Sequence, residues 1–463
     1  MILITLTIGV TWVFGAALAM MDGRRRSVGI LALLGLGTSL VSAILLGIRV
    51  IQEGTVVMIA GDWPLGLGIA LRADALGVTF AVVSCGVVFA SLLYEVILGV
   101  RSRTFPALVL FLNTGLMGIF LTGDMFNFYV FFEIAMTASY VLTGYREQDY
   151  QVRAAFIFAI VNLLGSVIFL IAVAGLYRIT GTLDMQIAAE RIGEAGPNPT
   201  IVIATAIFVA FGLKIGLFPF HFWLPAVYVG SHAPVAAILS GAVANIGGYG
   251  LLRFGGYIMP DQLAFGASVL LALGSASIIY GAHQAVARHS PVEVMAYSAI
   301  GQAGYILIAL AIGGPVGYAG AVIYAVVNSL NKGLIFLATG LRGWMVGAAF
   351  AVGAFSIAGV PPAAGFISKL ALFRAAIAWN GLAGSVAMVA LIFVGGAISF
   401  VYSFQIYQSI YLKPGRMESG KPSPLAARIL VVALAALLVA LGLYPEPLLY
   451  IGAQAAEVLV GGP

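Results

Sequence analysis

Apolar runs long enough to cross a bilayer follow one another from residue 2 to residue 452, with only short polar links between them. A hydrocarbon core takes a helix of about 20 residues, and backbone in lipid must satisfy its hydrogen bonds within each segment. About 14 such segments can be marked, near 2–21, 28–50, 74–98, 104–122, 125–144, 154–177, 200–222, 233–254, 263–284, 291–312, 315–341, 345–378, 382–411 and 428–452. The fold class read from this pattern is an all-α membrane protein. The twelfth and thirteenth segments are long enough to be tilted or broken. The longest polar links, 51–73, 178–199 and 412–427, leave no room for a soluble domain.

Basic residues set the orientation. Links after odd-numbered segments hold 13 of them: Arg24, Arg25, Arg26, Arg101, Arg103, Arg146, Arg153, Arg288, Arg342, Lys413, Arg416, Lys421 and Arg428. Even-numbered links hold 6: Arg49, Arg72, Arg178, Arg191, Arg253 and Arg374. The positive-inside rule then predicts both termini outside. No basic residue precedes the first segment and Arg24–Arg26 follow it, the reverse of a secretory signal. The expected setting is a prokaryotic cell membrane, with the chain in contact with lipid.

Several function classes drop out. The net charge of +5 is spread over the links and forms no patch for nucleic acid. The single cysteine, Cys85, and the scattered histidines lack metal-ligand spacing, and no nucleotide-binding glycine motif occurs. No cofactor is expected.

Four charged residues fall deep inside apolar segments: Glu133, Lys214, Lys332 and Lys369. A charge at that depth costs about 2.5–3.5 kcal/mol on insertion scales, and such groups mark ion or proton pathways by default. Burial penalises the charged form of an amine and a nearby carboxylate restores it, so a Glu/Lys pair that approaches and separates is a switchable proton donor. Glu133 is the expected partner of Lys214. Helical spacing aligns Tyr129, Glu133, Thr137 and Tyr140 on one stripe, and Tyr324, Asn328 and Lys332 on another. Lys214 is followed by Gly216 and Pro219; Lys369 follows Pro361 and Pro362. Prolines remove helical hydrogen bonds, freeing the carbonyls of Ile215, Ile357 and Ala358. His221, His232 and His283 are candidate relays near neutral pH. The bland alternative is static ion pairs and lysines that reach for the nearer surface.

Four stretches resemble the antiporter-like subunits shared by Mrp-type cation/proton antiporters, proton-pumping NADH:quinone oxidoreductases and membrane-bound hydrogenases. They are Thr122-Gly-Asp-Met-Phe-Asn127 through Glu133, Phe218-Pro-Phe-His-Phe-Trp-Leu-Pro225, Ala296-Tyr-Ser-Ala-Ile-Gly-Gln302, and Gly359-Val-Pro-Pro-Ala-Ala-Gly-Phe-Ile-Ser-Lys369. The resemblance covers nearly the whole chain. Gly61-Asp-Trp-Pro64 ahead of Ala73-Asp74 is most similar to the D-subunit branch of the Mrp type. The resemblance implies two inverted five-helix repeats with discontinuous helices at Lys214 and Lys369. It divides the chain into N-terminal helices (1–103), a first repeat (104–262), a second repeat (263–411), and a loop with the last helix (412–463). It also implies a wet polar axis on which Glu133 modulates Lys214 and Lys332 leads to Lys369.

The function so implied is a non-enzymatic, proton-translocating subunit of a multisubunit Na+/H+ antiporter, working with other membrane subunits and with sodium as the coupled ion. The alternative is the equivalent subunit of an NADH:quinone oxidoreductase or hydrogenase complex. One residue departs from the family pattern: Asn245 stands where a lysine is usual. An amide can hold a water chain but cannot accept and release a proton as an amine does.

Overall fold

The computed structural model describes residues 1–64, 68–379, 381–412 and 423–461. Lys413, Arg416 and Lys421, counted above toward the inside excess, lie outside the described residues.

Helices α1 (Ile2–Ala19) and α2 (Arg26–Glu53) open the chain. A small antiparallel pair follows, β1 (Val56–Ile59) and β2 (Ala70–Ala73), with Val56 opposite Ala73. Asp74 then caps α3 (Ala75–Leu98) by accepting from the Gly77 amide at 2.8 Å. Next come α4 (Phe105–Leu121), α5 (Met125–Thr143), α6 (Asp149–Thr180) and a short outer helix α7 (Met185–Arg191). Asp124 and Asp184 cap α5 and α7 through their first-turn amides, as side-chain acceptors at a helix start do.

Helices α8 (Pro197–Ile215) and α9 (Leu224–Gly230) share one interrupted crossing. The next crossing, Ala233–Ile258, is continuous but uneven. It holds α10 (Ala233–Ile238) and α11 (Asn245–Gly250), with π-turns at Leu239–Val243 and Leu251–Ile258. A short α12 (Pro260–Phe265) leads into α13 (Ala267–Val286), α14 (Pro291–Ile312) and α15 (Gly314–Thr339). Helices α16 (Trp344–Ala358) and α17 (Ala364–Ala378) form the second interrupted crossing, before α18 (Leu382–Tyr407). Finally α19 (Leu425–Leu443) and α20 (Glu446–Val460) make a third.

Among the described residues, twelve helices are long and apolar enough to cross a membrane. With α4 and the α16–α17 pair, the crossings match the 14 segments read from the sequence. Two details differ. The last crossing extends to Val460 instead of 452, bending at Tyr444-Pro445. The thirteenth is one helix, so only the twelfth of the two long segments is broken.

The breaks have the same local cause. Gly216 (φ 71°) ends α8 and Gly359 (φ 83°) ends α16 in the left-handed conformation, which glycine adopts without strain. In each, two amides close back on the last turn: Leu217 to Gly212 O and Gly216 to Leu213 O, then Val360 to Phe355 O and Gly359 to Ser356 O. This is the paired-bond glycine stop. Pro219, Pro361 and Pro362 sit beyond it. The helix has already stopped at Ile215, so Pro219 occupies the break and does not itself strip Ile215 of a helical bond.

The centre of the molecule is made by the crossings Ala233–Ile258, Gly314–Thr339 and Pro291–Ile312, whose apolar 18-residue stretches are 94%, 89% and 83% buried. Peripheral helices are largely exposed, α19 being 22% buried. The polar residues discussed next cluster on or against the central three.

Candidate proton-transfer site

Lys214 lies in the last turn of α8 and is 6% exposed. Its Nζ donates to the Asn162 carbonyl (2.8 Å) and toward the Ser166 hydroxyl (3.3 Å), both on α6. The ring of Phe132 lies 4.0 Å from the amine, close enough for a cation–π contact. Trp223, just past the break, donates its indole N–H to the Leu213 carbonyl at 2.9 Å. A cavity bounded by Asn162, Lys214, Trp223 and Tyr228 adjoins the amine, with room for about one water.

The expected direct contact between Glu133 and Lys214 is not made. No hydrogen bond or ion pair joins them among the described residues. Glu133 shares the outward side of α5 with Phe126, Val130, Thr137 and Val141, all exposed. The neighbouring Phe132 takes the place beside the amine. One carboxylate oxygen of Glu133, Oε1, is buried with no partner. Tyr129 is half-buried one turn before it, and the Tyr140 hydroxyl is also buried without a partner.

Asn245 occupies the stretch between the two π-turns and is 7% exposed. Its amide donates to Ser84 Oγ on α3 at 3.0 Å and to the Gly241 carbonyl at 3.2 Å. Its Oδ1 accepts from Ser329 Oγ on α15 at 2.9 Å. The asparagine is therefore a clasp between α3 and α15, with both ends of its amide occupied by protein.

Lys332, fully buried on α15, donates to the Met295 carbonyl at 3.1 Å and toward Ser298 Oγ at 3.5 Å, both on α14. Asn328 is half-buried one turn earlier. Tyr324, on the same stripe, packs on Tyr305 with ring centres 5.3 Å apart. Lys369, 5% exposed on α17, donates to the Ala358 carbonyl at 3.0 Å, and its Nζ stands 5.4 Å from the Tyr305 ring. The Ala358 carbonyl is free, as expected, but because α16 stops at Gly359 and not because of the prolines, and the lysine beyond the break takes it up.

The histidines are scattered. His221 lies inside the α8–α9 break, between the rings of Phe218 (5.5 Å) and Tyr280 (4.5 Å), with Nδ1 buried and unpartnered. His232 precedes α10, 6.0 Å from Tyr145, with Nε2 buried and unpartnered. Burial, reinforced by the Arg146 and Arg101 guanidinium groups, holds its pKa down at about 4. His283 is exposed on α13.

None of the ion pairs among the described residues includes a lysine. Each buried amine instead faces carbonyl oxygens, two of them with a hydroxyl as well. A carbonyl accepts from an amine in either protonation state, so the geometry can hold a lysine before and after it gives up a proton. Sequence reasoning missed the hydroxyl acceptors Ser166 and Ser298, neutral residues on other helices; the remaining acceptors are the backbone carbonyls of Asn162, Met295 and Ala358. Asn162 and Ser166 stand four residues apart inside an apolar run, a spacing that could have flagged them.

Interrupted helices and amines buried around a π-distorted central crossing define a class of membrane protein, and comparison with known proteins identifies it. The family model described as NADH:quinone oxidoreductase/Mrp antiporter, TM matches residues 122–395, and the chain belongs to that family. The D subunit of the Na+/H+ antiporter of Alkalihalophilus pseudofirmus is 31% identical over 446 residues, covering 91% of this chain and 90% of that protein. A chain of the Mrp complex from Dietzia sp. superposes with a TM-score of 0.90 at 26% identity, over 99% of this chain and 98% of its own. A chain of respiratory complex I from Thermus thermophilus gives 0.79 at 26% identity, over 96% and 98%.

Proposed function

We propose that this chain is the proton-translocating membrane component of a multisubunit Na+/H+ antiporter, with Glu133, Lys214, Lys332 and Lys369 as the groups that carry protons. One observation carries the reading: three lysine amines are buried deep among the helices, each held by a carbonyl and none by an acid. A buried charge without a counterion is expensive, so an amine in such a place is suited to exchange its proton. Glu133, with an unpartnered oxygen on the outward side of α5, supplies or withdraws negative charge near Lys214. Tyr129, Asn328, Asn245, His221 and His232 order the path between the carriers; His283 serves only where it meets the surface.

The working complex contains other membrane subunits, with sodium as the coupled ion, in the cell membrane and with both termini outside. The likeness to the Alkalihalophilus antiporter protein and to the Mrp complex supports this, as does the excess of basic residues on one set of links. Lys214→Ala and Glu133→Ala in the assembled complex, assayed for antiport in membrane vesicles, test it. Undiminished antiport in both refutes the reading. The second reading, a pump component of a redox complex, draws on the likeness to complex I. Co-purification with flavin or iron–sulfur proteins after mild detergent extraction would favour it.

A further inference from the structure

Helix α18 carries none of the charged residues that the proton path was built from, yet it sends a hydroxyl into the heart of that path. Tyr402 is 2% exposed. Its Oη lies 2.8 Å from Ser298 Oγ on α14, the same hydroxyl that faces Lys332. On its other side Tyr402 donates to Ser399 Oγ at 3.0 Å. Ser399 in turn donates to the Gly395 carbonyl at 2.7 Å.

The direction of these bonds can be worked out. Ser298 Oγ receives the Lys332 amine at 3.5 Å and the Gln302 amide at 3.0 Å. A hydroxyl with two incoming donors spends its single hydrogen outward, and the remaining neighbour is Tyr402. The series therefore runs one way, from the Lys332 N–H through the O–H groups of Ser298, Tyr402 and Ser399 to the Gly395 carbonyl. It ends where α18 passes Lys369. A Cβ on Gly396 would lie 2.5 Å from the Lys369 amine, and one on Gly395 would collide with the Tyr305 hydroxyl. That hydroxyl is itself buried without a partner, beside the ring that Lys369 faces.

We propose that Tyr402, flanked by Ser298 and Ser399, is a proton-conducting hydroxyl that links Lys332 to the Lys369 end of the path. The proposal rests on the proton-path reading above. In each hop one N–H or O–H bond breaks as the next O–H bond forms. The Gly395 carbonyl only orients the Ser399 hydrogen. In the last hop Ser399 turns that hydrogen to an intervening water as the water gives one of its own to Lys369, forming an N–H bond. The Lys332 ammonium ends as a free amine and the free Lys369 amine as an ammonium. Nothing is oxidised or reduced. The rival is packing: a tyrosine that fills space between α14 and α18 and happens to bond. The two differ in what the oxygen does and what the ring does.

The test uses the assembled complex in membrane vesicles, with complex content checked by purification. Tyr402→Phe keeps the ring and deletes the oxygen; Tyr402→Leu deletes both. The proposal expects Tyr402→Phe to lower antiport about tenfold, the kinetic weight of roughly one strong hydrogen bond, and to change the solvent deuterium isotope effect. Ser399→Ala, a milder change for assembly, should also lower the rate with an altered isotope effect. Packing predicts a normal Tyr402→Phe and an impaired Tyr402→Leu. Wild-type rate and isotope effect in both Tyr402→Phe and Ser399→Ala, with Lys332→Ala inactive, would overturn the Tyr402 assignment alone. A fully active Lys332→Ala would overturn the proton path and the Tyr402 assignment with it.

Discussion

The surroundings of Lys214 and those of Lys332 and Lys369 solve one problem in two ways. Lys214 sits in the turn before a helix break and reaches sideways to α6, to a carbonyl and a serine, with Phe132 across the amine. A carboxylate, Glu133, stands on the adjoining helix next to that phenylalanine. Lys369 comes after its break and reaches back to the carbonyl at the end of α16, and no acid accompanies Lys332 or Lys369 among the ion pairs of the described residues. Hydroxyls of Ser298, Tyr402 and Ser399 line this second region instead. The first region thus has an acid nearby but out of contact, the second only donors and acceptors in contact. Between them Asn245, its amide bonded to Ser84 and Ser329, joins the halves without a titratable group.

Substitutions in the two regions separate these two arrangements. The largest effect is expected from Lys332→Ala and Lys214→Ala, each of which removes a carrier; both should reduce antiport in vesicles to background. If only one does, a single half carries the flux. Glu133→Gln should come next, slowing antiport about tenfold, while Glu133→Asp retains part of the rate. An equal loss in both would argue for shape over charge. Asn245→Leu leaves the Ser84 and Ser329 hydroxyls facing an apolar group. It should destabilise the protein by about 1–3 kcal/mol, the usual loss when buried polar groups lose their partners, read as a lower unfolding midpoint in detergent. Asn245→Lys tests the same joint by supplying an amine; a faster rate would show that the amide limits transfer between the halves.

The smallest effect concerns His232. Its pKa of about 4 is below the ordinary value of 6.5, so the unfolded chain takes up this proton first as pH falls. The folded state should therefore lose stability from roughly pH 6.5 down to pH 4, and His232→Gln should flatten that part of the curve. An unchanged slope would mean that neither burial nor the Arg146 and Arg101 guanidinium groups hold the imidazole neutral in the folded state.

Much of this is legible in the sequence alone. Apolar runs locate the crossings because lipid demands self-satisfied helices. Gly216, Pro219, Gly359 and the Pro361-Pro362 pair announce the two breaks. The final crossing is cut short at 452 because Gln454 and Glu457 dilute its tail. Four-residue strands in a link of mixed character give too little alternation to show β1 and β2. At the site, charge is visible at any position, so the four residues proposed as carriers stand out in the sequence. Their partners do not, since Ser166 and Ser298 are ordinary polar residues until packing brings them to an amine, and the other acceptors are backbone carbonyls that any residue would present. Ser84 and Ser329 meet Asn245 from 161 and 84 residues away, a distance no local pattern spans.

The bond from Lys369 to the Ala358 carbonyl, together with that from the Gly365 amide to Ser356 Oγ at 3.0 Å, ties two rods across the five residues of turn between them. Any tilt of α17 against α16 must stretch or shorten it. Loading and unloading that amine and bending the crossing are thereby one mechanical coordinate. Lys214, whose grip is on α6, registers instead the sliding of neighbouring helices, so the two regions answer to different motions of the same molecule.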